Sequence, residues 1–129
     1  LNIPLYFDAS ELIDFSTYLD EGIEKYWVIE FEGGIVGCGG INFMNNNTGR
    51  LSWDLIHPNY QGKGLGRLLL NFRLKFLEES GCKLVEVRTS QFTSIFYEKN
   101  GFKTVLTTPN YWSKGYDLYH MERNLEMVK

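Results

Sequence analysis

The sequence predicts a mixed-sheet α/β domain. Three observations carry this: two β-rich runs joined by hairpin chemistry, a central apolar run at helical spacing, and a strand, short helix, strand, strand succession after it. The 129 residues, 43% hydrophobic and 16% aromatic, suffice for one core and leave no room for a second, so a single domain over 1–129 is expected.

The elements follow in order. "DASELIDFSTYL" sets Asp8 and Glu11 in capping-box spacing, with Leu12, Phe15 and Leu19 at helical intervals, and predicts a short amphipathic helix. Trp27 to Phe31 and Ile35 to Phe43 read as strands joined by Glu32-Gly33-Gly34. Gly37, Gly39 and Gly40 imply a bulge or a close backbone approach. "MNNNTGR" reads as a polar turn, and Leu51 to Ile56 as a third strand stopped by Pro58. From Gly64 to Glu79 a helix is expected, with Leu65, Leu68, Leu69, Phe72 and Phe76 as its buried stripe and Ser80-Gly81 as its stop. "KLVEVR" is a fourth strand, and "SIFYEKNGF" a short helix stopped by Asn100-Gly101. Strand "KTVL", loop "TTPNYWSKG" and strand "YDLYHMER" complete the chain.

Composition excludes several function classes. A formal net charge of -3 and a pI near 5.4 give no general attraction to nucleic acid or to an anionic membrane. Cys38 and Cys82 have no metal-binding spacing and read as buried thiols of a reduced, cytoplasmic protein, with no metal expected. No apolar run approaches the ~20 residues of a membrane span, and no signal segment opens the chain.

The stretch "HPNYQGKGLGRLLL" carries the chemistry. A glycine-rich turn between a strand and a helix exposes the first N–H groups of that helix, where the helix dipole is positive. Glycines let an anion approach the backbone, and Gln61, Lys63 and Arg67 add donors and charge. The arrangement suits a diphosphate, or serves only as a tight turn. The dinucleotide fingerprint GxGxxG fails, because Arg67 or Leu69 stands where its last glycine belongs. The P-loop fails as well, because Gly62-Lys63 is followed by Gly64 rather than Ser or Thr.

Gln61-Gly62-Lys63-Gly64-Leu65-Gly66 resembles the acyl-CoA signature of the GNAT superfamily of N-acetyltransferases, Q/R-x-x-G-x-G/A. "FYEKNGF", Phe96 to Phe102, resembles that family's second segment, and the element order matches from about Trp27 to Arg123. The resemblance implies a mainly antiparallel central sheet with flanking helices and splayed central strands. It differs at the front, where a shortened N-terminal region replaces a longer strand and two helices.

The resemblance also implies a chemistry. Acetyl-CoA is the donor and an amine the acceptor, with a homodimer as a further partner. Backbone groups of Leu55 and Ile56 pair with the pantetheine arm, and the diphosphate sits on the N–H groups from Gly62 to Arg67, including Lys63, Gly64, Leu65 and Gly66. Phe96 and Gln91 are further cofactor contacts; Thr89, Ser90 and Gln91 otherwise cap the short helix. The Ile56 N–H polarises the thioester carbonyl. Tyr97 is the implied proton donor to the departing thiolate, or else an aromatic packed beneath the cofactor.

An alkyl ammonium has a pKa of about 10.4, so direct attack needs a proton acceptor. Asp54 shares a strand face with Ile56 by alternation, a face expected to meet the acceptor, and is the first candidate base. A hydrogen-bonded structural role is its other reading, and Glu30, Glu32, Glu86 or water are the other bases. His57 and His120 read as structural. Tyr111, Trp112, Tyr116 and Tyr119 border the acceptor or pack on the protein or a second subunit. The readings from other classes are a non-catalytic acyl-CoA sensor and a dimeric interaction protein.

Overall fold

A computed structural model describes residues 25–31, 34–45, 47–62 and 64–125, and of Phe31, Trp53 and Pro58 the backbone alone. The helix expected over "DASELIDFSTYL" lies outside the described residues, as do Glu32, Gly33 and Lys63. The described elements are β1 Lys25–Phe31, β2 Gly34–Phe43, β3 Thr48–Ile56, α1 Leu65–Glu79, β4 Leu84–Thr89, α2 Ser94–Lys99, β5 Lys103–Ser113 and β6 Tyr116–Asn124, with a 3-10 turn at Pro58–Tyr60. The mixed α/β class is as the sequence predicts, and the pairs β1–β2, β4–β6 and β5–β6 are all antiparallel. Among the described residues no helix is long and apolar enough to cross a membrane.

Two compact units share the chain, one ending at Phe43 and resuming over Leu51–Phe76, the other made of Met44–Arg50 and the residues from Leu77 onward. In the first, β2 lies between β1 and β3. Trp27 pairs with Gly39 and Tyr26 with Gly40, and the register shifts between Ile29 and Glu30. Val36, Cys38, Ile41, Leu51 and Leu55 of the strands and Leu69, Leu70 and Leu74 of α1 are its buried apolar residues. Burial pushes the Cys38 thiol up, against the opposing pull of the Tyr26 hydroxyl that donates to its sulfur at 3.3 Å.

The buried face of α1 differs from the expected stripe. Leu68 and Phe72 are exposed, at 59% and 53%, while Leu70, Arg73 and Leu77 are fully buried. Leu68, Leu69 and Leu70 are consecutive, so the helix has apolar residues on more than one face. What turns it is the buried arginine described below.

In the second unit β6 lies between β4 and the edge strand β5. Glu86 pairs with Glu122 and Arg88 with His120. Val85, Val87, Tyr97, Phe102, Leu118 and Met121 form its core with Leu77 from the end of α1. Both helices stop as their glycines foretell. Cys82 N–H donates to Leu77 O and Gly81 N–H to Glu78 O, and the same pair of bonds runs from Phe102 to Tyr97 O and from Gly101 to Glu98 O. Gly81 and Gly101 supply the left-handed residue of each motif, with φ of 92° and 91°.

Two boundaries depart from expectation. β3 begins at Thr48, inside the expected turn, because Asn47 O accepts from both Lys83 and Leu84 N–H and so draws the chain into pairing three residues early. β5 runs on through "TTPNYWS", read as a loop, to Ser113. Pro109 lacks an N–H, but on an edge strand that removes no ladder bond that a neighbour needs, and the irregular register between Thr108 and Ser113 absorbs it. Asn110, at φ 53°, accepts from Gly115 N–H and donates its own N–H to Asp117, closing the turn.

Gly49 is buried against Leu77: a Cβ there would lie 2.5 Å from one Leu77 methyl and 3.0 Å from the other. Gly49→Ala should therefore lower the melting temperature, at a cost of about 1–3 kcal/mol for overpacking. Leu77→Val in the same chain should recover part of that loss, and unchanged melting of the single variant would contradict this packing.

Candidate active site

The stretch singled out in the sequence forms the connection from β3 to α1. His57 N–H donates to Val36 O at 2.7 Å, holding the exit of β3 to β2, and Tyr60 N–H returns to His57 O at 2.8 Å. Asn59 N–H donates to His57 Nδ1 at 3.0 Å, so His57 serves the turn. Gln61 donates from its side-chain amide to Ile56 O at 3.2 Å. Gly62 and Gly64 then take φ of 77° and 84°, a region glycine enters without penalty.

At both glycines an added Cβ would meet nothing within 4 Å, so packing does not demand them. Backbone conformation demands them, and the space beside them is open. The α1 ladder opens with Leu68 N–H donating to Gly64 O at 3.0 Å, and the N–H groups of Leu65, Gly66 and Arg67 precede it. The first turn holds no acidic side chain and carries the exposed Arg67. The positive end of a 15-residue helix is thus left without a carboxylate of its own.

Asp54 stands two residues before Ile56, and their side chains share a face as alternation requires. At Asp54 that face meets α1, and the carboxylate stays partly exposed. Arg73 Nη1 donates to Asp54 Oδ1 at 2.8 Å and Nη2 to Oδ2 at 2.5 Å. Both carboxylate oxygens are engaged by a fully buried guanidinium. The sequence singled out Asp54 and not Arg73; the available signal was an arginine inside the apolar run "LLLNFRLKFL".

In the second unit Tyr97 is 6% exposed, held edge-on by Phe96 at 5.2 Å and Phe102 at 5.4 Å. Gln91 holds the turn after β5: its amide donates to Gly115 O at 2.8 Å and accepts from Asp117 N–H at 2.9 Å. Ser90 Oγ accepts from Phe92 N–H, and Thr93 stands at the N-cap of α2 without a side-chain cap bond. The aromatic pair Tyr111 and Trp112 does cradle a cation, namely Arg88, whose guanidinium lies 5.1 Å and 5.7 Å from the two rings and donates to Tyr111 Oη at 2.7 Å. Trp112 donates to Thr89 O at 3.0 Å.

Glu86, on β4, is the most buried carboxylate among the described residues. Arg50 reaches its Oε1 at 3.1 Å and His120 Nε2 its Oε2 at 3.1 Å. The same Nε2 lies 3.6 Å from Glu122 Oε2, so one imidazole nitrogen faces both a buried carboxylate and a more exposed one. The donor atoms of Glu86, His120 and Glu122 all fall within 4.8 Å of one another. Arg50 already supplies the positive charge that balances Glu86.

Residues 22–104, well over half the chain, match the family model of the acetyltransferase (GNAT) domain. The amino-acid acetyltransferase of Mycobacterium tuberculosis is 27% identical over 94 residues, 70% of this chain and 53% of that protein. The ribosomal protein bS18-alanine N-acetyltransferase of Haemophilus influenzae is 43% identical over 61 residues, 46% of this chain and 42% of that one. This chain thus spans about half the length of these curated relatives. In fold it is similar to a GNAT family acetyltransferase from Elizabethkingia anophelis solved with acetyl-CoA bound, with a TM-score of 0.75, 20% identity, and coverage of 96% of this chain and 93% of that one. The signature turn, the second motif around Tyr97 and the family match agree: this chain belongs to the GNAT acetyltransferase family.

Proposed function

We propose that this chain transfers an acetyl group from acetyl-CoA to a primary amine by direct attack. The observation that supports it best is the β3–α1 connection, where Gly62 and Gly64 turn open backbone outward beside an uncompensated helix N-terminus. Family membership supplies the donor class, and the similar Elizabethkingia protein carries acetyl-CoA. In this reading the diphosphate rests on the N–H groups from Gly62 to Arg67, with Gln61, Lys63 and Arg67 as side-chain donors. The pantetheine amides pair with Leu55 and Ile56 backbone, and Gln91 and Phe96 complete the cofactor contacts.

The amine nitrogen attacks the thioester carbon, the carbonyl oxygen gains charge that the Ile56 N–H stabilises, and the C–S bond breaks. Tyr97 gives its proton to the departing thiolate. Since a thiol titrates near 8.5 and a phenol near 10, this help is modest but sufficient to matter. The ammonium proton leaves to Glu86, the most buried carboxylate among the described residues. Asp54, with both oxygens on Arg73, holds the strand to the helix instead of taking that proton.

Four outcomes test this reading. CoA at a hundred times its dissociation constant should stabilise the protein by about 2.7 kcal/mol in thermal melting. Arg67→Glu should separate the two roles of the helix start: a carboxylate there stabilises the free helix by about 0.3–1 kcal/mol yet weakens CoA binding. No CoA-dependent rise in melting temperature sinks the proposal. Tyr97→Phe keeps the aromatic cluster and should lower kcat by about a hundredfold with CoA affinity unchanged; an unchanged kcat removes Tyr97 from the chemistry. Glu86→Gln should push the rate optimum alkaline, because an acceptor with a pKa of about 10.4 must then reach its neutral form in solvent. The same pH profile as the unaltered chain would exclude Glu86 as the proton acceptor.

A further inference from the structure

The first unit holds a charge that no step above uses. Arg73 is 0% exposed, and burying a guanidinium costs several kcal/mol unless its geometry is excellent and its donors are used. Here they are used. Besides the two bonds to Asp54, Nη1 donates to Gly40 O at 3.1 Å and Nε to Leu69 O at 3.4 Å. The space for it comes from Gly39, where a Cβ would lie 3.1 Å from Nη1 and 3.2 Å from Cζ. Gly39 is therefore the floor on which the guanidinium lies, and Gly40 supplies a carbonyl beside it.

The anchor points bracket the connection described above. Asp54 is two residues before Ile56 on β3, and Arg73 is six residues beyond Arg67 on the helix that presents the Gln61 to Arg67 donors. One ion pair thus ties the two ends of the turn together, with β2 as a third support. An apolar contact would tolerate sliding, since it has no direction, whereas a two-pronged guanidinium–carboxylate contact fixes distance and angle. We propose that Arg73 is a positioning residue for acetyl-CoA: through Asp54 it sets the spacing between the Ile56 backbone and the N–H groups at the start of α1. It touches no substrate itself. The inference rests on the reading that those two places hold the thioester arm and the diphosphate.

The test is to replace the pair with apolar residues of similar volume, Arg73→Met with Asp54→Leu, and to measure melting and CoA binding by calorimetry together. Removing a buried ion pair as a whole is often neutral or stabilising, so the double variant should melt at or above the temperature of the unaltered chain. Its dissociation constant for CoA should rise by about tenfold or more, a change of about 1.4 kcal/mol, with KM for acetyl-CoA rising in proportion. A second arm uses Asp54→Asn, which keeps the side-chain shape: amide exchange should quicken at Leu68, the first hydrogen-bonded amide of α1, and at Leu69 and Leu70 after it, and not at Val85 and Val87. A well-folded double variant that binds CoA within twofold of the unaltered chain overturns the proposal, as does unchanged exchange at the start of α1 in Asp54→Asn. Absence of CoA binding by the unaltered chain instead overturns the reading of the β3–α1 turn, and this inference with it.

Discussion

A fully buried guanidinium must be paired, and the first unit is built around meeting that demand. Arg73 fixes which face of α1 points inward, which residue of β3 faces the helix, and where β2 must go without side chains. Leucines supply the larger share of the buried area, but they would accept more than one rotation of this helix. The charge accepts one. A stabilising core and a specifying contact are thus contributed by different residues of the same helix.

The second unit is specified by local geometry to a greater degree. Two helix stops of the same design, each with a left-handed glycine and a buried residue just beyond it, set the entries into β4 and β5. Phe102 follows its glycine directly and closes against Tyr97, so the motif that ends α2 also holds the phenol in place. Polar groups on the other strands form a second theme. Glu86, His120 and Glu122 run from a buried position to a more exposed one, with Arg50 balancing the inner charge.

The elements that could be read from sequence are those whose cause is local. The glycine turn between β3 and α1, both helix stops, the hairpin strands and the class of the fold all follow from backbone rules acting over a few residues. Errors arose where a distant partner overrode a local signal. Gly49 and the asparagines before it resemble a turn, yet pairing at Asn47 extends β3 through them. Pro109 resembles a strand terminator, yet an edge position removes its penalty. Asp54 is open from sequence to two readings, base or hydrogen-bonded structural residue, and the arginine that engages both its oxygens lies 19 residues away.

By itself, then, the sequence determined the glycine turn between β3 and α1, its likeness to the acyl-CoA signature, and the motif carrying Tyr97, because glycine conformation and motif spacing are properties of contiguous residues. Tertiary structure decided the rotation of α1, the employment of Asp54 by Arg73, and the cradling of Arg88 by Tyr111 and Trp112. Each of these depends on a charge finding its partner across the fold. The cost of leaving a buried charge unpaired is paid only in three dimensions, and periodicity along the chain does not record it.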